Sequence, residues 1–518
     1  MVWPAWASRP PRKNSANTTV RFRTVSAQRH SRRHAQTLVS NRPRLVLAGL
    51  SGGAGKTIVT LGVCRALARR GLAVRPFKKG PDYIDASWLG LAAGREASNL
   101  DPFLMPPRRV RGLFFEKSDA CDLSVIEGNR GLFDGKDLEG SCSTAELARL
   151  LDAPVVLIVD ATKMTRTAAA IVAGCAAFEP GLSLAGVICN RTAGERHRSI
   201  LRRTIEHYTG IPVLGMLPKM PENPIPERHM GLLSNREHDR QESVLDAVAG
   251  FVADGVDLDR LLALADAAPD MAPPDPGDVP QWPDPPVSAG PGDRPVIGVA
   301  RDAALWFYYP ENLEALERAG AEIVYVSLVS PDRWPELDGL YLGGGFPETL
   351  ARALADNTTV RERVRAHSLA GMPIYAECGG FMYLCRELRV GDASFPMAGV
   401  FPLTTTLCPR PQGLGYCQAL VRRDNPFHPV GFELAGHEFH YSRCLASLDE
   451  SGSPSLDPGS FCLMMRRGTG MLHGLDGLVE NATFAAYTHI HALGAPHWAG
   501  NFVAAARAFR ASRETTTP

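Results

Sequence analysis

The chain predicts an α/β fold in two domains, and three observations predict it. Short apolar runs alternate with helical patterns through residues 44–265, the signature of a parallel sheet with helices on both faces. The first apolar run opens into a Gly-rich turn that ends in Lys-Thr, just ahead of a helical segment. A Pro- and Gly-dense stretch over 266–294 then gives way to a second alternating region at Pro295-Val296-Ile297-Gly298-Val299. The expected layout is a disordered basic leader (1–43), a P-loop domain (44–265), a stiff solvated linker (266–294) and a second α/β domain (295–515).

Composition bounds what such a chain does. Its 518 residues fit two large domains, or about three of average size. A hydrophobic content of 45% and a charged content of 21% exclude wholesale disorder. No apolar run approaches the roughly 18 residues a membrane span needs, so no membrane partner is expected. Lys+Arg at 56 against Asp+Glu at 55 argues against a globally basic nucleic-acid binder. The 11 cysteines include no C-x-x-C pair, so neither a disulfide framework nor a zinc site is expected. The cytoplasm is the expected compartment.

The leader carries Arg9, Arg12, Lys13, Arg21 and further arginines with no acidic residue, a composition resembling an organelle transit peptide. A disordered tail, or an upstream start codon, is the reading favoured. From Arg44 onward, Leu45-Val46-Leu47-Ala48 reads as a buried strand, and 58–70 as a helix stopped at Gly71. Further strands are expected at 122–126, 154–159, 184–189 and 211–215, with helices at 144–151 and 196–207 between them.

The first turn reads Gly49-Leu50-Ser51-Gly52-Gly53-Ala54-Gly55-Lys56-Thr57. Between a strand and a helix, such a loop turns its backbone N–H groups inward and cradles phosphate, aided by the helix N-terminus. Gly52, Gly53 and Gly55 would surround the phosphates of ATP, Lys56 would reach the terminal ones and Thr57 would ligate Mg²⁺. The loop has one residue more than the strict spacing, as in the dethiobiotin synthetase group. Phosphoryl transfer also needs acidic groups at the metal. Asp82 and Asp85, in Phe77-Lys78-Lys79-Gly80-Pro81-Asp82-Tyr83-Ile84-Asp85, and Glu127, in Val125-Ile126-Glu127-Gly128-Asn129-Arg130, all fall beyond the carboxyl ends of strands. Asn190 ends another apolar run and is a candidate to hydrogen-bond the base, with a turn-forming role as the alternative.

The second domain holds Pro373-Ile374-Tyr375-Ala376-Glu377-Cys378-Gly379-Gly380. A strand running into Cys378, with glycines opening a helix behind it, describes a nucleophile elbow. A helix N-terminus there would lower the thiol pKa. Upstream, Gly343-Gly344-Gly345 ends a strand, and Gly344 and Gly345 are candidate oxyanion-hole donors. Four histidines compete as the base: His437, His440, His489 and His491. His489 and His491, two apart, would share a strand face. The residues alone do not choose among the four.

Taken together, these motifs resemble those of the cobyrinate a,c-diamide synthases, which join a dethiobiotin-synthetase-like ATPase domain to a class I glutaminase domain. The matching segments are Ser51 to Thr57, Phe77 to Asp85, Val125 to Gly135, Gly186 to Arg191 and Pro226-Glu227-Arg228-His229. In the second domain they are Phe307 to Leu313, Gly343 to Glu348, Ala376-Glu377-Cys378-Gly379-Gly380 and His437 to Ser442. The resemblance implies a ligase. Cys378 would form a γ-glutamyl thioester with glutamine, the amido donor, and release ammonia. ATP–Mg²⁺ would phosphorylate an acetate carboxylate of a tetrapyrrole, and ammonia would displace the phosphate, twice per substrate. By position His489 corresponds to the activating histidine. Many glutaminases carry a Glu two residues further on, where this chain has His491, so the resemblance implies a Cys–His dyad without a third member. Thr57, Asp82 and Glu127 would surround the metal with Asp85 nearby, the resemblance leaving open which of Asp82 and Asp85 touches it, and Lys78 and Asp85 would stand beside the activated carboxylate.

One segment departs from the family pattern. After Glu127 the chain reads Gly-Asn-Arg-Gly-Leu-Phe-Asp-Gly, where Gly-Val-Met-Gly-Leu-Tyr-Asp-Gly is expected. Asn129 and Arg130 would then line the carboxylate pocket, where Arg pairs bidentately. That makes sirohydrochlorin or sirohaem a competing substrate to cobyrinic acid. A competitor from another class is a P-loop partition or scaffold ATPase with a dead glutaminase-like domain, in which Cys378→Ser would leave function intact. A homodimer is the default assembly.

Overall fold

A computed structural model of the chain describes residues 41–220, 225, 227–228, 231–232, 241–275, 277, 294–331, 333–445 and 458–516. The leader as far as residue 40, linker residues 276 and 278–293, and Pro226 and His229 of one quoted motif lie outside the described residues.

The N-terminal part alternates strand and helix. In order come β1 (Arg44–Gly49), α1 (Lys56–Arg69), β2 (Val74–Lys79), α2 (Tyr83–Ala93), β3 (Ser98–Leu100) and α3 (Pro107–Lys117). They are followed by β4 (Leu123–Gly131), α4 (Thr144–Leu150), β5 (Val155–Asp160), α5 (Arg166–Phe178), β6 (Leu184–Thr192), α6 (Glu195–Thr209) and β7 (Val213–Pro218). The sheet order is β3-β2-β4-β1-β5-β6-β7, and every pairing is parallel. A strand buried on both faces reads as a continuous apolar run, as Leu45 to Ala48 does. Helix ends follow local chemistry. Asp82 caps α2 through the Asp85 N–H, and α6 stops at Gly210, whose φ is 68°.

The order reverses at β1. The chain leaves β1 for β2, which lies beyond β4, and later returns to β5 on β1's other side. The crevice at such a switch point, above the carboxyl ends of β1 and β4, is where open α/β sheets bind ligands. Register then sets which residues meet there. Leu47 of β1 and Lys78 of β2 both lie opposite Glu127 of β4.

A short pair, β8 (Glu227–Arg228) and β9 (Gly231–Leu232), precedes α7 (Gln241–Gly255) and α8 (Leu258–Asp266). The linker is not solvated from its first residue, as the Pro content suggested. Met271 is buried against the first core, and Pro269 O accepts a 2.8 Å hydrogen bond from the buried Arg44.

The second sheet begins with β10 (Val296–Ala300), β11 (Leu305–Phe307), α9 (Pro310–Arg318), β12 (Glu322–Val326), β13 (Gly339–Leu342) and β14 (Gly344–Gly345). Next come α10 (Ala351–Asp356), α11 (Thr358–Leu369), β15 (Ile374–Glu377), α12 (Gly379–Leu384), β16 (Cys385–Val390), β17 (Ala393–Pro396) and β18 (Phe401–Leu407). The chain closes with β19 (Gly413–Val421), β20 (Glu433–His440), β21 (Ser442–Leu445), β22 (Phe461–Arg467), β23 (Leu475–Glu480), β24 (Thr483–Ala486), β25 (His489–Ile490) and α13 (Trp498–Thr516). Ten strands run in the order β12-β10-β13-β15-β24-β23-β22-β19-β20-β25. The first five are mutually parallel and the rest antiparallel, so the α/β alternation expected for this half covers only part of it.

The described residues all belong to one compact unit. Trp306, Phe307 and Phe346 from the second half pack into the core of the first, beside Tyr83. Ion pairs such as Lys117–Glu314 (2.5 Å) and Arg318–Glu116 (2.8 Å) flank that contact. Partly exposed pairs contribute at most about 1 kcal/mol each, so the apolar contact carries more of the attachment.

Candidate functional site

The turn between β1 and α1 has the backbone of a phosphate cradle. Gly55 has φ 91°, and a Cβ there would lie 2.3 Å from Asn190 Nδ2, so only glycine fits. Lys56 is buried, and its Nζ folds back to donate to Ser51 O at 2.9 Å. Burial holds its pKa below the ordinary value, with Glu127 opposing that shift. The candidate base-binding residue Asn190 holds the loop. Its Nδ2 donates to Ala54 O at 3.0 Å, and its Oδ1 accepts from Arg191 N at 2.9 Å. The cause is strand order: β6 lies two strands from β1, which brings the end of Asn190 under the turn.

Beside the cradle lies a charged cluster. Thr57 Oγ1 donates to Glu127 Oε1 at 2.7 Å. Lys78 Nζ lies 2.9 Å from that same oxygen and 2.6 Å from Asp85 Oδ2. Burial opposes the Lys78 charge, but Asp85 and Glu127 outweigh it and hold the ammonium above its ordinary pKa. Glu127 is raised by burial, partly offset by Lys78. Asp82 is raised to about 7, first by burial and then by the charge of Asp85. Its Oδ1 accepts the Asp85 N–H at 2.9 Å.

These residues fit a nucleotide-borne Mg²⁺. Glu127 Oε2 is buried with no hydrogen-bond partner, next to the Thr57 hydroxyl. An orphaned carboxylate oxygen in such a place is stabilised by a cation or a metal-bound water. Among the described residues no group of three or more His, Cys, Asp or Glu could hold a metal ion alone. Phosphate oxygens and water would have to complete the shell, as is usual for Mg²⁺ at such sites.

A cleft of about 530 Å³ meets this cluster at Asp82 and is lined by both halves of the chain. Lys79, Asn129, Arg130 and Lys136 come from the first half, and Arg467 and His489 from the second. Arg130 has φ 50°, a conformation that costs a non-glycine residue about 1–2 kcal/mol. Tyr416 locks the wall: its OH accepts from Lys79 Nζ at 3.2 Å and donates to Asp101 at 2.8 Å, and its ring stacks on Phe103 at 4.2 Å.

Cys378 sits between β15 and α12 at φ 46°, ψ −98°, a strained turn of the kind that marks nucleophile elbows. Glycine is required behind it, since a Cβ on Gly380 would lie 2.3 Å from Leu342 O. The expected depression of its thiol pKa is not found. Burial, and then the charge of Glu348, push the thiol up. The backbone hydrogen bond at Gly379, which favours the thiolate, does not offset the loss of water. The Gly344–Gly345 step lies between Cys378's turn and His489. A Cβ on Gly379 would lie 3.0 Å from Gly345 N, and one on Gly344 would lie 2.4 Å from His489 Cε1.

The four histidines separate in the structure. His440 Nδ1 lies 2.7 Å from Ser442 O, and its ring stacks on Tyr487. His437 stacks on His489 with ring centroids 4.7 Å apart. Burial, then His489 and His491, hold His437 well below its ordinary pKa and keep it neutral. His489 and His491 do not share one environment, because β25 is only two residues long. His489 Nδ1 lies 3.4 Å from Glu377 Oε2, whereas His491 Nε2 lies 3.4 Å from Glu311 Oε2. Of the four, His489 is the one beside both the Gly344 step and the cleft. Sequence reasoning assigned no role to Glu377, Tyr83, Tyr416 or Arg467. Glu377 and Tyr83 stood inside quoted motifs, but Tyr416 and Arg467 carried no local signal.

Comparison with known proteins agrees with this arrangement. The family profile of the CobQ/CobB/MinD/ParA nucleotide binding domain matches residues 45–233. That of the CobB/CobQ-like glutamine amidotransferase domain matches residues 296–497. The cobyrinate a,c-diamide synthase of Magnetococcus marinus is 42% identical over 462 residues, covering 88% of this chain and 96% of the relative. That of Syntrophotalea carbinolica is 42% identical over 467 residues, covering 89% and 98%. That of Methanosarcina acetivorans is 37% identical over 494 residues, covering 91% and 97%. With a phosphate cradle, a cysteine elbow and a cleft lined by both halves, and with relatives matched over nearly their whole length, the chain belongs to the cobyrinate a,c-diamide synthase family.

Proposed function

We propose that the chain amidates the a and c acetate carboxylates of cobyrinic acid, with ATP and glutamine as co-substrates. The observation that carries this reading is a cleft whose lining includes His489 together with Asp82, Asn129 and Arg130.

Cys378 attacks the carboxamide carbon of glutamine while its proton passes to His489. Gly344 and Gly345 donate to the oxyanion. The thioester forms as ammonia leaves with that proton, and water then releases glutamate. The raised thiol pKa fits this order, because the proton leaves only as the sulfur bonds to carbon. In the other half, Gly52, Gly53, Gly55 and Lys56 hold the ATP phosphates, with Asn190 bracing the loop. Mg²⁺ neutralises phosphate charge when bound, and Thr57, Glu127 and Asp82 would hold it. A substrate carboxylate oriented by Lys78, Asn129 and Arg130 attacks the γ-phosphorus and expels ADP, with Asp85 holding the Lys78 ammonium. Ammonia then adds to the acyl phosphate, phosphate departs and the amide remains.

Cobyrinic acid carries several carboxylates. Lys79, Arg130, Lys136 and Arg467 supply the cleft with the matching charge. The test is ADP release by the full chain with Mg-ATP and glutamine, with cobyrinic acid, sirohydrochlorin and sirohaem compared and amides counted by mass spectrometry. Diamide formed from cobyrinic acid alone is the expected result. Turnover of the sirohydrochlorin series alone would overturn the substrate, and no substrate-dependent ADP with any of them would overturn the ligase.

A further inference from the structure

We infer that Glu377, the residue immediately before the nucleophile, is the positioning carboxylate of the glutaminase base. It stands in for the Glu that other glutaminases carry where this chain has His491. The inference rests on the reading of Cys378 and His489 given above.

Three observations carry it. Glu377 is fully buried, and its Oε2 lies 3.4 Å from His489 Nδ1, a buried atom that makes no hydrogen bond and has this carboxylate as its ion-pair neighbour. The carboxylate is itself held. Ile490 N donates to Oε1 at 3.2 Å, and Tyr341 OH donates to Oε2 at 3.2 Å. Asn312 closes the frame, donating to Tyr341 OH at 3.2 Å and to Ile490 O at 3.0 Å and accepting from Ala492 N at 2.7 Å. Glu377 is thus tied to the segment that carries His489.

The alternative carboxylate is taken. His491, at the position where many other glutaminases carry a Glu, faces Glu311 at 3.4 Å. The fold explains why Glu377 can substitute. β15 pairs in parallel with β24 with Glu377 opposite Ala486, and the chain reaches His489 three residues later. The imidazole plane is fixed as well, stacked on His437 at 4.7 Å and flanked by Tyr83 at 5.5 Å.

The chemical consequence is a tautomer. A carboxylate beside Nδ1 keeps the proton there and leaves Nε2 free to take the thiol proton. It also stabilises the imidazolium that forms. Glu377 does not touch glutamine and acts through His489, so its removal should slow turnover rather than weaken glutamine binding.

The test uses the full chain with E377A and E377Q, the second being isosteric and able to accept the Ile490 N–H on its amide oxygen while its amide nitrogen faces Tyr341 OH as a donor. Glutamate release is measured for kcat and KM, and cobyrinic acid amidation supported by high ammonia is measured on the same preparations. The expected result is a loss of kcat of at least about 100-fold for both variants, as for a misdirected tautomer. The KM for glutamine should stay within about threefold, and the ammonia-supported rate within about twofold. The inference is overturned if kcat with glutamine stays within about threefold of the parent, or if the two rates fall together, which would mark a structural role only. Failure of the parent to release glutamate would instead overturn the glutaminase reading on which the inference rests.

Discussion

The ring of Tyr83, the first residue of α2, lies 5.5 Å from the imidazole of His489. It also stacks on Phe307 at 5.0 Å with an interplanar angle of 4°. One neighbour of Tyr83 in the chain is Asp82, at the charged cluster beside the phosphate cradle. One side chain therefore packs beside His489, the proposed glutaminase base, and adjoins the charged cluster of the first half.

That position predicts a coupling role. Y83F keeps the stacked ring and should retain amidation. Y83A removes the partition between the two halves and should release more glutamate per amide formed, by about threefold or more. The ratio of glutamate to diamide product, by chromatography of one reaction, checks this. An unchanged ratio in Y83A would remove Tyr83 from the coupling. Tyr83 is only partly buried, so its truncation should destabilise the chain by less than the roughly 3–5 kcal/mol that a fully buried aromatic costs.

Arg467 reaches the cleft from the half of the chain that does not hold ATP. R467A should raise the KM for cobyrinic acid about tenfold, the loss of about 1.4 kcal/mol expected of one charge-assisted contact. The KM values for ATP and glutamine should not move. Steady-state kinetics with each substrate varied in turn gives the answer, and a parallel rise in all three would mean general disruption.

Asp476 gives a pH dependence with a definite sign. It is buried and accepts from Tyr487 N at 3.0 Å, Thr488 N at 3.0 Å and Thr488 Oγ1 at 2.8 Å. Burial, and then the charge of Glu438, raise it from the ordinary 3.8 to about 6. Between these values the folded chain holds a proton that the unfolded chain has released. Its contribution therefore falls as pH rises from about 4 to about 6 and levels off above that. D476N should be less stable by about 1–3 kcal/mol, because an amide cannot accept all three bonds. It should nevertheless lose less stability than the parent over the same pH interval. Urea midpoints at the two ends of the window measure both effects, and an equal decline in the two proteins would rule Asp476 out as the titrating group.

Several features were legible before any coordinates. The run from Leu45 to Ala48, the turn to Thr57 and the helix behind it depend on neighbours in the chain. Strand burial is written in apolar content, and Gly55 is required by its own φ. The same holds for the turn at Cys378, where Gly379 and Gly380 announce a close backbone approach. Asp82, Asp85 and Glu127 were legible as a group because strand ends in a parallel sheet share one edge.

What only the tertiary structure decided is which groups became partners across long separations. Glu377 meets His489 because β15 lies beside β24, a pairing that no local pattern encodes. Asn190 became a brace for Gly55 because of where β6 falls in the sheet order. The Cys378 thiol is raised rather than lowered because desolvation is a property of everything packed around it, not of the helix that follows it. Arg467 and Tyr416 joined the cleft through the docking of two halves. Sequence period and turn chemistry act over a few residues, whereas pairing, burial and charge environment are set by the assembled chain.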